Sequence, residues 1–385
     1  MFEKKAEISN NEAKIALETS VKVLKNTLRK NFGEYLNHSS VNGIYPVCKN
    51  DQWTNGFYVG ELWLAYEFTG DEEFKRGAEA LIPGFIERIK KKIAVDHHDM
   101  GFLYSPSCIA AHKLTGNEEA KEAAILAADM LISRFQEKGE FLQAWGAMGE
   151  EGNYRYIIDC LLNLPLLYRA SEMTGDDKYR NIALKHITTC LKYSIRPDGS
   201  TYHTFFMDKN TGGPLRGETC QGYSNESFWA RGQAWGVYGT ALSYRYTHKE
   251  EYKDAFKKTL DFYLSKLPED MVPYWDMIFT EGEEPRDSSS ASIVACGLLE
   301  MANLVGEEEA AYCRSLAAKM LKSLADNYAV KPENGSNGLV LHGTYSKKSP
   351  YNTCSEAGVD ECVSWGDYFY MEALTRFTKD WDTYW

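Results

Sequence analysis

Two aspartates stand where a carboxylate is hard to place. Asp159 lies in RYIIDCLLNLPLL, an apolar run, and Asp99 closes the string VDHHD ahead of MGF. A carboxylate among apolar side chains is costly unless it is paired or used. Two nearby carboxylates suit proton transfer. One stays ionised, and the other keeps its proton near neutral pH because its neighbour is negative and its surroundings are apolar. Trp53, Arg231 and Asp287 fall at comparable places in the chain, one helix length before a recurring turn, and Asp367 sits nearer its turn. Aromatic faces beside paired carboxylates point to chemistry on a sugar. The competing reading makes each Asp a helix N-cap and each Trp core packing.

Other chemistries lack their residues. His97-His98-Asp99 suggests a metal, but adjacent residues on a helix do not face one site and no further ligands follow at metal spacing. Neither a metal nor a cofactor is therefore expected. There is no Gly-rich phosphate loop and no G-x-S-x-G elbow; Asn42-Gly43 and Gly212-Gly213 read as turns.

The element that must position these residues is repeated. A turn recurs as FTGDEEF at Thr69, LTGNEEA at Thr115, MTGDDKY at Thr174, YTHKEEY at Thr247, LVGEEEA at Val305 and FTKDWDT at Thr378. Each ends an apolar helix at a left-handed cap and starts another with acidic residues in its first turn. The helix before the turn is apolar nearly all round, as in CLLNLPLLYRASEM. The one after it is amphipathic: Ile125, Ala128, Leu131, Ile132 and Phe135 form a stripe, with Lys121, Glu122 and Asp129 elsewhere. The expectation is an all-α (α/α)6 barrel of six helical hairpins, with an open solenoid as the alternative. The long spacers carry the polar and aromatic residues, and such loops gather at one mouth of a closed barrel. No Pro-, Gly- or Ser-rich linker divides the chain, so residues 1–385 read as one catalytic domain. Residues 1–10 read as a flexible tail and residues 331–360 as a long loop.

Composition narrows the partners. Lys and Arg number 43 against 55 Asp and Glu, a net charge of −12 that disfavours a nucleic-acid partner. No apolar run is long enough to cross a membrane, and the N-terminus MFEKKAEISNNEAK has no signal-type core. None of the nine cysteines is spaced as C-x-x-C. Reduced thiols and a cytoplasmic protein, monomeric or weakly self-associating, are expected.

On these residues the sequence resembles the unsaturated glucuronyl hydrolases, glycoside hydrolase family 88. The matching stretches are DQWTNGFYVGELWLAYEFTGD, VDHHDMGFLYSPS, RYIIDCLLNLPLL, DGSTYHTFF, TCQGYSNESFWARGQAWGVYG and VDECVSWGDYFYMEAL. The resemblance implies an (α/α)6 barrel that removes a 4,5-unsaturated uronic acid from the non-reducing end of oligosaccharides left by polysaccharide lyases. It implies hydration of the C4=C5 enol ether, with Asp159 as acid and base and Asp99 as the second essential carboxylate. It implies that Trp53 and Trp145 border the sugar and that His98 hydrogen-bonds it. His203 and Gln221 would hold the water and the uronate ring. Trp229, Arg231 and Trp235 would complete the site, with Arg231 paired to the uronate carboxylate.

Ser346, Lys347, Lys348 and Ser349 match a segment that contacts sulfated aglycones. The chain departs from that pattern at Pro350-Tyr351, where the resemblance implies Gly or another residue and then Lys, so the reading of a sulfate pocket stays open and Lys347-Lys348 read equally as a solvated loop. An unsaturated rhamnogalacturonyl hydrolase is the nearest competing enzyme. A non-catalytic sugar-binding toroid would not need the two carboxylates, and a sugar epimerase would need His pairs instead.

Overall fold

The computed structural model describes Phe2 and residues 4–385. Helix α1 (Asn10–Lys30) leads into the pair α2 (Asn55–Thr69) and α3 (Glu72–Lys90). The second pair has a broken first member, α4 (Met100–Tyr104) and α5 (Ala110–Thr115), followed by α6 (Glu118–Ile132). A π-helical turn at Ser105–Ile109 makes the break. Then come α7 (Leu164–Thr174) with α8 (Lys178–Tyr193), α9 (Ala230–Thr247) with α10 (Glu250–Lys266), and α11 (Ser288–Ala302) with α12 (Glu307–Ser323). Helix α13 (Ser364–Thr378) is last.

The left-handed cap expected at all six turns forms at four; at the fifth Gly306 is extended (φ −68°) and precedes α12, and at the sixth Lys379 is extended (φ −149°). Gly70, Gly116 and Gly175 end their helices with φ of 68°, 71° and 72°, the left-handed region. At the fourth turn His248 takes that conformation at φ 51° in place of glycine. Asp71 and Asn117 then cap α3 and α6 through backbone N–H groups of Glu73 and Ala120.

Helices buried on every side form an inner ring: α2, α4–α5, α7, α9, α11 and α13. Its neighbours touch in chain order, and α13 packs on both α11 and α2. That last contact closes the (α/α)6 barrel and sets the solenoid aside. The other six helices surround the ring.

The sixth hairpin differs from the expectation. After Thr378 no helix follows; α1, from the other end of the chain, packs on α13 as its outer partner. Residues 381–385 bury Trp381, Tyr384 and Trp385 instead. The expected tail at 1–10 also differs among the described residues. Phe2 and Ile8 are buried, the Ile8 N–H donates to the Ala318 carbonyl, and a capping box between Ser9 and Glu12 starts α1. Apolar contact with α12 outweighs the end's freedom. Met1 and Glu3 lie outside the described residues.

The α6 stripe is also shifted. Its buried face is Ala120, Ala123, Ala124, Ala127, Ala128 and Leu131, with Ile125, Ile132 and Phe135 only half-buried. Small side chains let this helix approach the ring closely, so the widest residues lie on its flanks.

The spacers that enter the inner helices all emerge at one end. They carry short antiparallel strands: β1 (Tyr35–Leu36) with β2 (Val47–Cys48), and β3 (Phe135–Gln136) with β4 (Phe141–Leu142). A three-stranded sheet joins β5 (Arg155–Ile157), β6 (Thr204–Met207) and β7 (Pro214–Glu218). The expected loop at 331–360 contains β8 (Gly343–Ser346), paired with β9 (Ala357–Glu361).

Candidate active site

At the end where the inner helices begin lies a cavity of about 630 Å³. Asp99 immediately precedes α4, and Asp159 sits in the 3-10 turn Ile158–Leu162 that follows β5. Asn163 joins the two. Its side-chain oxygen accepts from the Phe102 N–H at 2.9 Å, and its amide donates to the Asp159 carbonyl at 3.3 Å. Gly101 makes this approach possible, since a Cβ there would lie 2.5 Å from the Asn163 Cα. His98, Asp99 and Asp159 thereby bring polar atoms within 4.8 Å of one another.

His97 and His98 both face Asp99, contrary to the helical argument. They lie in the loop before α4, so helical geometry does not separate them. His98 Nε2 is 3.3 Å from Asp99 Oδ1, and His97 Nδ1 is 3.1 Å from Oδ2. Burial pushes the His98 imidazole down to about 4, so it is neutral near pH 7. Burial also works to raise Asp99, but His98, His97 and the Arg88 guanidinium outweigh it and hold Asp99 below the usual carboxylate range. Asp159 goes the other way. Burial first, and then the negative charge of Asp99, push it well above the usual range, against a smaller opposing pull from Arg231. Its Oδ1 is buried with no hydrogen-bond partner among the described residues. The two neighbouring carboxylates are therefore pushed in opposite directions, Asp159 toward keeping its proton and Asp99 toward losing it. His98, Asp99 and Asp159 could offer three ligand atoms to a cation, although a carboxyl pushed toward keeping its proton is a poor ligand.

The walls are set by residues the sequence reading did not single out. Arg88, buried at the end of α3, donates to the carbonyls of Gln52 (2.9 Å) and Ala94 (2.8 Å). It thus pins both the loop bearing Trp53 and the loop bearing the histidines. Arg134 does the same for Trp145, donating to the carbonyls of Gln143 and Gly146 at 2.7 and 3.0 Å. Trp53 stacks on Trp365 at 5.1 Å and donates to the Tyr345 hydroxyl. His203 Nδ1 accepts from the N–H groups of Cys220 and Gln221 at 3.0 and 3.2 Å, which fixes its proton on Nε2. The Gln221 amide donates to the Tyr345 carbonyl.

Trp53, His98, Asp99, Trp145, Asp159, His203, Gln221 and Ser346 all line the cavity. Others expected there do not. Arg231 is only 1% exposed, lying between the rings of Trp229 and Trp365. Its guanidinium donates to the carbonyls of Thr344 (2.6 Å) and Tyr345 (2.7 Å) and pairs with Asp287 at 3.4 Å. It braces the wall rather than lining it. Trp229 stands behind His203, with ring centres 4.2 Å apart. Trp235 belongs to an aromatic plug beneath the cavity, 5.2 Å from Phe102 and 5.7 Å from Phe369. Lys347 and Lys348 do not line the cavity, and the Lys348 ammonium donates to the Asn352 carbonyl. Ser349 is buried, donating to the Tyr223 carbonyl at 2.6 Å. The residues lining the cavity include no Lys or Arg. A charged side chain buried in the wall is held by its own carbonyl and carboxylate partners, which spacing in sequence does not disclose.

A family model described as Glycosyl Hydrolase Family 88 matches residues 27–373. The chain is 47% identical over 351 residues to the unsaturated chondroitin disaccharide hydrolase of Streptococcus pneumoniae, covering 90% of this chain and 87% of that protein. It is 41% identical over 363 residues to the unsaturated glucuronyl hydrolase of Bacillus sp. GL1, covering 92% and 94%. The crystal structure of unsaturated glucuronyl hydrolase from Streptococcus agalactiae superposes with a TM-score of 0.95 at 45% identity, covering 100% of this chain and 96% of that one. A family model spanning most of the barrel, relatives matched along most of their length and a shared overall fold agree: the chain belongs to glycoside hydrolase family 88.

Proposed function

We propose that this glycosidase, which removes 4,5-unsaturated glucuronic acid from the non-reducing end of lyase-generated oligosaccharides, works by hydrating the C4=C5 enol ether with Asp159 as proton donor. The observation that carries the reading is the pair itself: a half-buried Asp159, pushed well above the usual carboxylate range by burial and by Asp99, beside an Asp99 held below that range. Asp159 protonates C4, and positive charge develops over C5 and O5. The Asp99 carboxylate supports that charge and holds sugar hydroxyls, steadied by His97 and His98. Water adds at C5 with the Asp159 carboxylate now acting as base, so the proton returns to Asp159. The resulting hemiketal opens and the aglycone leaves. Because water does not attack C1, the carboxylate separation carries no rule about retention or inversion.

His203 offers its Nε2–H, and Gln221 stands beside it, for the water and the uronate. Trp53 and Trp145 border the ring. Arg231 acts from within the wall, its positive charge offsetting the carboxylates around an anionic substrate. Relatives support the substrate class: a variant of the Streptococcus agalactiae enzyme has been crystallised with dGlcA-GalNAc6S, at a TM-score of 0.87 and 42% identity. A sugar-binding toroid or an epimerase leaves the opposed protonation of the two aspartates without a use. We also take the chain to act as one catalytic domain, monomeric or weakly associating, in the cytoplasm. No helix among the described residues is long and apolar enough to cross a membrane.

The test is direct. Incubation with an unsaturated chondroitin disaccharide should abolish the ultraviolet absorbance of the enol ether, and Asp159→Asn should prevent it. Binding of the disaccharide with its absorbance intact in the unaltered protein would overturn the reading.

A further inference from the structure

Six of the nine cysteines are buried, and three are partly exposed: Cys48, Cys220 and Cys354. Two of those three, Cys220 and Cys354, line the same cavity as the aspartates. They come from distant parts of the chain and meet at one seam. Cys220 lies in the loop leaving β7, and Cys354 in the loop between β8 and β9. The Thr353 hydroxyl, adjoining Cys354, donates to the Cys220 sulfur at 3.7 Å. The Cys354 thiol donates to the Lys347 carbonyl at 3.4 Å. Asn352 and Ser349 complete the seam through the carbonyls of Gly222 and Tyr223. An edge-on contact between the rings of Tyr223 and Tyr351, 5.3 Å apart, packs the same seam. Both sulfurs are weakly partnered, and neither has a place in the reaction proposed above.

We propose that Cys220 and Cys354 form a thiol-modification site in the cavity wall, at which a small-molecule disulfide attaches reversibly and shuts substrate out. The proposal rests on the cavity being the substrate site. One cysteine loses its proton to solvent, and the thiolate attacks a sulfur of R–S–S–R. A protein–reagent S–S bond forms, the reagent's own S–S bond breaks, and RS⁻ departs and takes up a proton. The protein sulfur is oxidised and the departing sulfur reduced. Attack by the second cysteine on this mixed disulfide releases a second thiol and leaves a Cys220–Cys354 bridge, so the same reagent is the oxidant in both outcomes. Either product matters sterically. An adduct at Cys220 adjoins Gln221 and the backbone N–H groups that fix His203. A bridge ties the loop after β7 to the loop between β8 and β9, where Thr353 already touches the Cys220 sulfur. A thiol added in excess reverses both.

The experiment treats the protein with glutathione disulfide at mildly alkaline pH and follows turnover of an unsaturated chondroitin disaccharide alongside peptide mass mapping. Cys220→Ser, Cys354→Ser and the double variant are each compared with their own untreated rate. The expected result is loss of most turnover, an adduct on Cys220 or Cys354 or a bridge between them, slower labelling when disaccharide is present, and recovery with dithiothreitol. The treated double variant should keep its untreated rate. An unlabelled pair, an adduct there with turnover unchanged, or equal inactivation of the double variant would overturn the site. Mapping and protection do not need turnover. Labelling that the disaccharide slows, in a protein that leaves the enol ether intact, would support the site while overturning the reaction.

Discussion

The division of labour between Asp159 and Asp99 rests on their immediate surroundings. Asp159 is half-buried at the cavity with its Oδ1 unpartnered, whereas Asp99 has the imidazoles of His97 and His98 within 3.3 Å of its carboxylate, and His97 Nδ1 also accepts its N–H. Asp159→Asn keeps the shape of the side chain and removes the proton. Turnover should fall at least about a hundredfold with the circular dichroism spectrum unchanged, the usual scale for a positioned acid. Activity needs Asp159 protonated, so kcat/KM should decline at alkaline pH as that raised group ionises. Part of the rise comes from the Asp99 charge. Asp99→Asn removes the charge, lowers the Asp159 pKa and should move the alkaline limb to lower pH. A pH–rate profile on the residual activity checks the sign, and an unmoved limb would separate the two groups.

Between elements, Arg231 is the brace. From α9 it reaches Asp287 at the head of α11 and two carbonyls of β8. Tyr345 of β8 in turn receives Gln221 and Trp53. Arg231→Lys keeps the charge, but an ammonium cannot span these acceptors. The variant should lose about 1.5–3 kcal/mol, the range for hydrogen bonds to a charged group, read by urea unfolding, and KM should rise as the wall loosens. Helix α1 is a second test at this scale. Leu17 is fully buried on it. Leu17→Ala should cost about 2–5 kcal/mol, as cavity-forming core substitutions do, because α1 is the outer partner of α13. A change in the unfolding midpoint near zero would mean that α1 is not the outer partner of α13.

At the scale of the molecule, charge and closure act together. The net charge of −12 opposes approach of a long polyanion. Phe57, Phe102, Trp235 and Phe369 fill the barrel below the cavity, with ring centres 5.2–5.7 Å apart. A chain cannot thread past them, so only a terminal sugar reaches Asp159. The expected result is turnover of di- to tetrasaccharides with the viscosity of intact glycosaminoglycan unchanged. A rapid fall in viscosity would contradict it.

The local features were legible because they are local. A helix that ends at Thr-Gly and restarts on Asp or Asn follows from backbone geometry, and an aspartate inside IIDCLL has few uses besides chemistry. Periodicity therefore showed the hairpins, and their starts located Asp99, Asp159 and Trp53. What the tertiary structure alone decided depends on atoms far apart in sequence. The sixth hairpin joins both ends of the chain, because α13 lacks a following partner and α1 lacks a preceding one. Arg231 looks, in FWARGQAW, like a free cation for a carboxylate. Its acceptors at Asp287, Thr344 and Tyr345 are supplied by elements that meet it only when the ring closes. Burial and partner set are properties of that closure, and they set Arg231 within the wall, off the cavity lining.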